Sequence, residues 1–316
     1  KQTGIAQGIY GGWGNFGSAG GALILPSLAL WYGGDDGWRW AIASTGVLTA
    51  IYSVVYFFSV TDTPKGSTYF KPKKSGALEV TSVGDLILYL LMNIPLYAAL
   101  AVLTWKLGPD NLGMLGSAVS YLFYASLLGL YLFQTARILQ INKMLFREAV
   151  PELECYSFRQ VAVLNLSYMV TFGSELAIVS MLILFYQDTF TLSPVMAGLI
   201  ASIFAGLNII MRPAGGWISD NFGRKRSLGM IMSGLVVGYL MMSQIDSSWS
   251  LSTAILVTIF CSLFVNAGNG AVFAMVPLVK RRLTGQIAGM TGAYGNVGAV
   301  TFLTVLSFVE TELFFL

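Results

Sequence analysis

Residues 4–17 read GIAQGIYGGWGNFG, and residues 285–298 read GQIAGMTGAYGNVG. At an offset of 281 the two stretches match at Gly4/Gly285, Gly8/Gly289, Gly11/Gly292, Gly14/Gly295, Asn15/Asn296 and Gly17/Gly298. Trp13 and Tyr294 add an aromatic ring at equivalent places. At about 100° per residue, Gly4, Gly8, Gly11 and Asn15 fall on one stripe of a helix. Gly14 and Gly17 turn away from it and widen the smooth surface. Such a stripe lets helices approach closely; it also leaves backbone open to a solute or a moving neighbour. A buried amide in an apolar helix needs a partner, so Asn15 and Asn296 are candidates for substrate contact or gate hydrogen bonding. Parallel repeats of this kind build many secondary transporters.

Composition agrees with a membrane setting. Of 316 residues, 55% are hydrophobic and 10% are charged, against roughly a quarter charged in a soluble protein. That excludes a cytosolic enzyme, a nucleic-acid binder and a disordered scaffold. The net charge of +3 is too small to imply a polyanion partner. Histidine is absent, and the two cysteines, Cys155 in a polar loop and Cys261 in an apolar run, give neither a disulfide framework nor a metal cluster. No metal, no cofactor and no enzymatic activity are expected. A membrane enzyme would need clustered catalytic groups, and a channel would show repeated polar rings.

About 20 apolar helical residues cross roughly 30 Å of hydrocarbon. Nine runs qualify: 4–32, 39–60, 84–105, 113–136, 160–187, 195–218, 227–245, 251–279 and 284–309. Period-2 alternation is missing, so the fold class is all-α and polytopic. Counting sides along the runs, one side receives Lys1, Lys65, Lys71, Lys73, Lys74, Arg137, Lys143, Arg147, Arg159, Arg224, Lys225, Arg226, Lys280, Arg281 and Arg282, which is 15 of 18 basic residues. The other receives Arg39 and Lys106 with Asp35, Asp36, Asp110, Asp188 and Asp246. The positive-inside rule makes 61–83, 137–159, 219–226 and 280–283 cytoplasmic in a plasma-membrane protein. The chain then divides into a helix pair at 1–60, a linker at 61–83, a hairpin at 84–136, a cytoplasmic segment at 137–159 and a helical block at 160–316. The two cytoplasmic segments are either solvated connections, with an amphipathic surface helix in the second, or contacts for a cytosolic regulator. Apolar helices beginning almost at Lys1 and ending almost at Leu316 lead us to expect a piece of a longer protein.

Charges inside the runs are few. Arg212 stands about two turns before the end of its run, with Asn208, Gly215 and Gly216 on the same face at i−4, i+3 and i+4. It either snorkels to the headgroups or binds an anion. Glu175 shares a face with Tyr168 and Phe172, and either lines a pathway and carries a proton or holds a salt bridge, to Arg212 or to a residue of the longer protein. The loop Gly216-x-x-x-Asp220-x-x-Gly223-Arg224-Lys225 places an acid at one helix end and bases at the next, a latch for one face of a carrier.

These features resemble the major facilitator superfamily and, more narrowly, its nitrate/nitrite porter family in the bacterial nitrate permease branch. The loop motif is similar to the superfamily's cytoplasmic-loop motif. The twin Gly/Asn runs, with Gly8, Gly11, Gly14, Gly17 and Gly289, Gly292, Gly295, Gly298, are similar to the two nitrate motifs of the fifth and eleventh helices. Tyr168 with Thr171 to Ser174 resembles the seventh helix, Asn208 to Gly216 the eighth, and Asp62 to Gly66 the segment after the sixth. The resemblance implies a partial major-facilitator bundle, helices five to eleven, with an inserted helix pair at 84–136. It also implies that the chain alone would not transport. By the same resemblance Arg212 is a substrate arginine, Tyr168 and Phe172 enclose the anion, and Asn15 and Asn296 contact it. The implied activity is secondary transport of nitrate or nitrite by alternating access, with a nutrient sensor or another small-anion carrier as the alternative. The chemistry is compatible: nitrate is flat and singly charged, a guanidinium offers a planar fork of donors, and an aromatic face excludes water.

Overall fold

The computed structural model describes residues 3–61, 76–147, 151, 155–309 and 314–315. Lys1, the linker basic residues Lys65, Lys71, Lys73 and Lys74, the Asp62 to Gly66 segment, and Glu148, Glu152 and Glu154 lie outside them.

Ten α-helices make up the described chain, and no strand occurs among the described residues. They are α1 (Thr3–Tyr32), α2 (Gly37–Ser59), α3 (Val83–Leu107), α4 (Ser117–Ile141), α5 (Phe158–Phe190), α6 (Pro194–Gly206), α7 (Asn208–Phe222), α8 (Arg224–Met242), α9 (Leu251–Val279) and α10 (Thr284–Leu306). Side chains stop several helix starts: Ser82, Ser193 and Ser250 each accept from a backbone N–H three residues on. Pro194 follows Ser193 at the first helical position, where its missing N–H costs nothing. The turn from α7 to α8 is Gly223 alone, at φ +92°, a conformation that favours glycine.

Nine apolar runs become ten helices because 195–218 divides. The helix breaks at Leu207, between Gly206 and the turn in which Pro213 leaves the Ile209 carbonyl without its donor. It then continues to Phe222. Six spans are long and apolar enough to cross a membrane: α2, α3, α4, α5, α6–α7 together, and α9. The glycines of α1 and α10 and the three basic residues opening α8 make those helices less apolar.

Two large apolar clusters lie one toward each end of the bundle, and a small third one joins Ile231 of α8 with Ala267 and Ala271 of α9. The first joins the 77–80 segment with α3, the Phe158–Tyr168 part of α5, the later turns of α9, and α10. The second joins the Ile178–Tyr186 part of α5 with α6, α8 and the first turns of α9. Thr171, Ser174 and Glu175 on α5, and Asn266 and Asn269 on α9, fall between them and are buried. A polar layer thus sits near the middle of helices about 45–50 Å long.

α1 packs chiefly on α7 and α6, and α5 on α10 and α9. The α3–α4 hairpin docks on α10 and α5 through α3, and the Tyr294 hydroxyl donates to the Met92 carbonyl. Residues 76–82 are not a solvated connection. Ala77, Leu78 and Val80 are buried, Asn142 brackets the segment by accepting from Val80 N and donating to Leu78 O, and Arg282 pairs with Glu79 at 2.6 Å. In 137–159, α4 runs on to Ile141 and one short 3-10 turn follows at Lys143–Phe146. No longer surface helix occurs among the described residues there.

Candidate functional site

α5, α7 and α9 each send polar side chains into the middle layer. Glu175 is 2% exposed and Arg212 5%. The Glu175 carboxylate accepts from three donors: Asn208 Nδ2 at Oε1, and Asn269 Nδ2 and Arg212 Nη2 at Oε2, the last at 3.4 Å. Arg212 Nε donates to Asn208 Oδ1 at 2.6 Å, one helical turn back. Arg212 is buried and paired within the bundle. The helix continues ten residues beyond it, about 15 Å, and the guanidinium is spent on buried partners. The salt-bridge reading of Glu175 is what the geometry contains. Burying both charges is tolerable because each is paired and hydrogen-bonded.

An aromatic wall adjoins the pair. Tyr168 and Phe172 stack at 4.9 Å between centroids and 8° between planes, and Phe273 meets Tyr168 edge-on. The Arg212 guanidinium carbon lies 5.3 Å from the centre of the Phe172 ring, within cation–π range.

The glycines decide how closely backbones approach. A Cβ on Gly8 would lie 2.6 Å from the Arg212 carbonyl, and one on Gly11 would lie 2.8 Å from Arg212 Nη1. α1 therefore lies flat on α7, directly over the arginine. Gly295 and Gly298 do the same between α10 and α5, where a Cβ would strike Phe172 and the Met169 carbonyl respectively. Gly14, Gly17, Gly289 and Gly292 have nothing within 4 Å of such a Cβ among the described residues.

The two asparagines of the repeat are not gathered with Arg212. Asn15 is half-buried one turn beyond Gly11, and its Nδ2 has no partner among the described residues. Asn296 is exposed, beside Gly295. The member that sequence reading missed is Asn269. Its signal was present: Asn266 and Asn269 lie at i, i+3 in an otherwise apolar helix, but uncharged residues draw less attention than Arg212 and Glu175.

The motif at the α7–α8 turn forms a small network. Asp220 accepts from Gly4 N at 3.0 Å and pairs with Arg224 at 2.8 Å, and Arg224 Nη1 donates to the Ala274 carbonyl at 2.9 Å. Gly216 lets the Gly4 carbonyl approach too closely for any Cβ. Four helices, α1, α7, α8 and α9, are tied here. Lys225 is exposed and has no partner among the described residues.

A paired buried arginine thus stands against an aromatic wall, between helices that carry the two halves of the glycine repeat. The family model of the Major Facilitator Superfamily matches residues 1–303, and the chain belongs to that superfamily. More particularly, it is 45% identical to the nitrate/nitrite transporter NrtP of Nostoc punctiforme, over all of this chain and 64% of that protein. It is 48% identical to NrtP of Picosynechococcus sp., over 97% of this chain and 62% of that protein. The high-affinity nitrate transporter 2.3 of Oryza sativa subsp. japonica is 28% identical over 95% of this chain and 47% of its own length. The chain thus spans somewhat less than two thirds of the cyanobacterial relatives. No solved structure matches it.

Proposed function

We propose that these residues form the anion-handling part of a nitrate/nitrite transporter of the major facilitator superfamily, working by alternating access. The observation that carries this is Arg212, buried at mid-depth, 5.3 Å from Phe172, with its charge balanced by Glu175. The likeness to the two NrtP proteins supports the choice of anion.

The pair suggests how a proton and an anion travel together. With Glu175 ionised, Arg212 is neutralised and offers a free anion little. When Glu175 takes up a proton, its hold on Nη2 weakens and the guanidinium carries an unbalanced charge. A planar anion then takes two N–H donors in place of the carboxylate, against the stacked Tyr168 and Phe172. Loss of the proton restores the ion pair and expels the anion. Asn208 keeps the guanidinium plane fixed through Nε. Asn15 and Asn296 complete the enclosure in the assembled transporter.

The same proposal reads nine crossings, with α1, α8 and α10 added to the six apolar spans and α6–α7 counted once. Residues 61–83, 137–159, 219–226 and 280–283 face the cytoplasm, and the Gly4–Asp220–Arg224–Ala274 network is the gate there. The hairpin at 84–136 is an insertion between the two halves of the bundle, with 1–60 in one half and 160–316 in the other.

Uptake of labelled nitrate into proteoliposomes of the whole protein, with and without an inward proton gradient, tests the coupling. The gradient should drive accumulation in the native protein. Glu175→Gln should abolish gradient-driven accumulation and keep nitrate exchange. Unchanged gradient-driven uptake in Glu175→Gln would return Glu175 to a purely structural role.

A further inference from the structure

The basic end of the bundle carries a second feature, well away from the Arg212 layer. α5, α8 and α9 leave a groove of about 930 Å³ between them. Its rim holds Arg159 and Lys225, the second residues of α5 and α8. Both are exposed and have no partner among the described residues. Deeper in, the walls are Leu164, Leu228, Met232 and Met275. Met232 lies seven residues beyond Lys225, about 10 Å along the helix. The groove is therefore cationic at one end and apolar along its length.

That gradient matches one kind of molecule. A soluble anion would use the rim and leave the apolar walls empty, and a neutral lipid would use the walls and leave two cations unanswered. We propose that the groove binds an anionic phospholipid, with the headgroup phosphate on Arg159 and Lys225 and an acyl chain along Leu228, Met232 and Met275. Basic pockets between membrane helices hold anionic headgroups in this way. No side chain caps the start of α8, so its first amides and its positive dipole end lie at the same rim. Gly229 lines the groove with open space where a Cβ would stand, which leaves room for the chain. Arg224 also lines it, so the lipid sits against the side chain that links α8 to Asp220 and Ala274.

The test is native mass spectrometry of the whole protein in detergent, titrated with phosphatidylglycerol or phosphatidylcholine. Phosphatidylglycerol should be retained preferentially. Each basic residue near the surface contributes about fivefold, so Arg159→Gln with Lys225→Gln should lower that retention roughly thirtyfold and leave phosphatidylcholine unchanged. Both residues are exposed, so folding is spared. Gly229→Phe, which fills the groove, should lower retention of phosphatidylglycerol with the rim charges intact. Excess inorganic phosphate should not displace the lipid. Equal retention of the two lipids, unchanged retention in the double variant, or displacement by inorganic phosphate would each overturn the proposal, the last by showing a site for a soluble anion.

Discussion

Arg212 and Glu175 are each other's justification for being in the middle of the bundle. An arginine at mid-helix costs about 2.5–3.5 kcal/mol to insert, and removing one partner of a buried pair costs about 3–5 kcal/mol. Asn269 belongs to the same unit through its hydrogen bond to Glu175 Oε2. A hydrogen bond to a charged group is worth about 1.5–3 kcal/mol. Asn269→Ala should therefore lower the thermal stability of the whole protein by about that much. Combined with Glu175→Gln it should cost at least ~1 kcal/mol less than the sum of the two single changes. Strict additivity in thermal melts would mean that the two side chains do not meet. Arg212 and Glu175 were legible in the sequence because a charge in an apolar run announces itself. Their pairing across 37 residues was open, since it depends on how α5 and α7 face one another.

Among the elements, α1 shows what its glycines are for. Substituting alanine for glycine in a helix normally gains up to about 1 kcal/mol. At Gly8 the new Cβ would meet the Arg212 carbonyl at 2.6 Å, and forcing such an overlap costs about 1–3 kcal/mol. Gly8→Ala should thus lower the melting temperature, and a rise would contradict the close α1–α7 contact. The periodicity of these glycines was readable in the sequence, but their partners were not. Equivalent positions of the repeat meet different neighbours: Tyr294 is fully buried against α3, while Trp13 is 63% exposed. Likewise Gly14 faces open space while Gly295 packs on Phe172. The repeat records a common helix, and the hairpin α3–α4 breaks the equivalence. The break at Leu207 was hidden as well, because hydropathy runs straight through Gly206 and Leu207 into α7.

Over the whole molecule, hydrophobic run length located the helices of the described residues to within a few residues, except that it merged α6 and α7 into one. Charge distribution gathered Arg137, Arg159, Arg224 and Arg282 toward one end, where the structure joins Arg282 to Glu79 and sets the Arg137 guanidinium beside Gly76. What length and charge do not encode is which helices touch, and the polar layer exists through those contacts alone. We propose that this layer binds a planar anion through the fork of Arg212. Calorimetric titration of the purified whole protein with nitrate tests it most directly, comparing the native protein with Arg212→Lys. Lysine keeps the charge and loses the fork. One lost charge-assisted hydrogen bond is worth about 1.5–3 kcal/mol, a tenfold or greater loss of affinity. Arg212→Lys should show that loss while still inserting and folding; nitrate affinity within about twofold of native in this variant would mean that the guanidinium fork does not hold the anion.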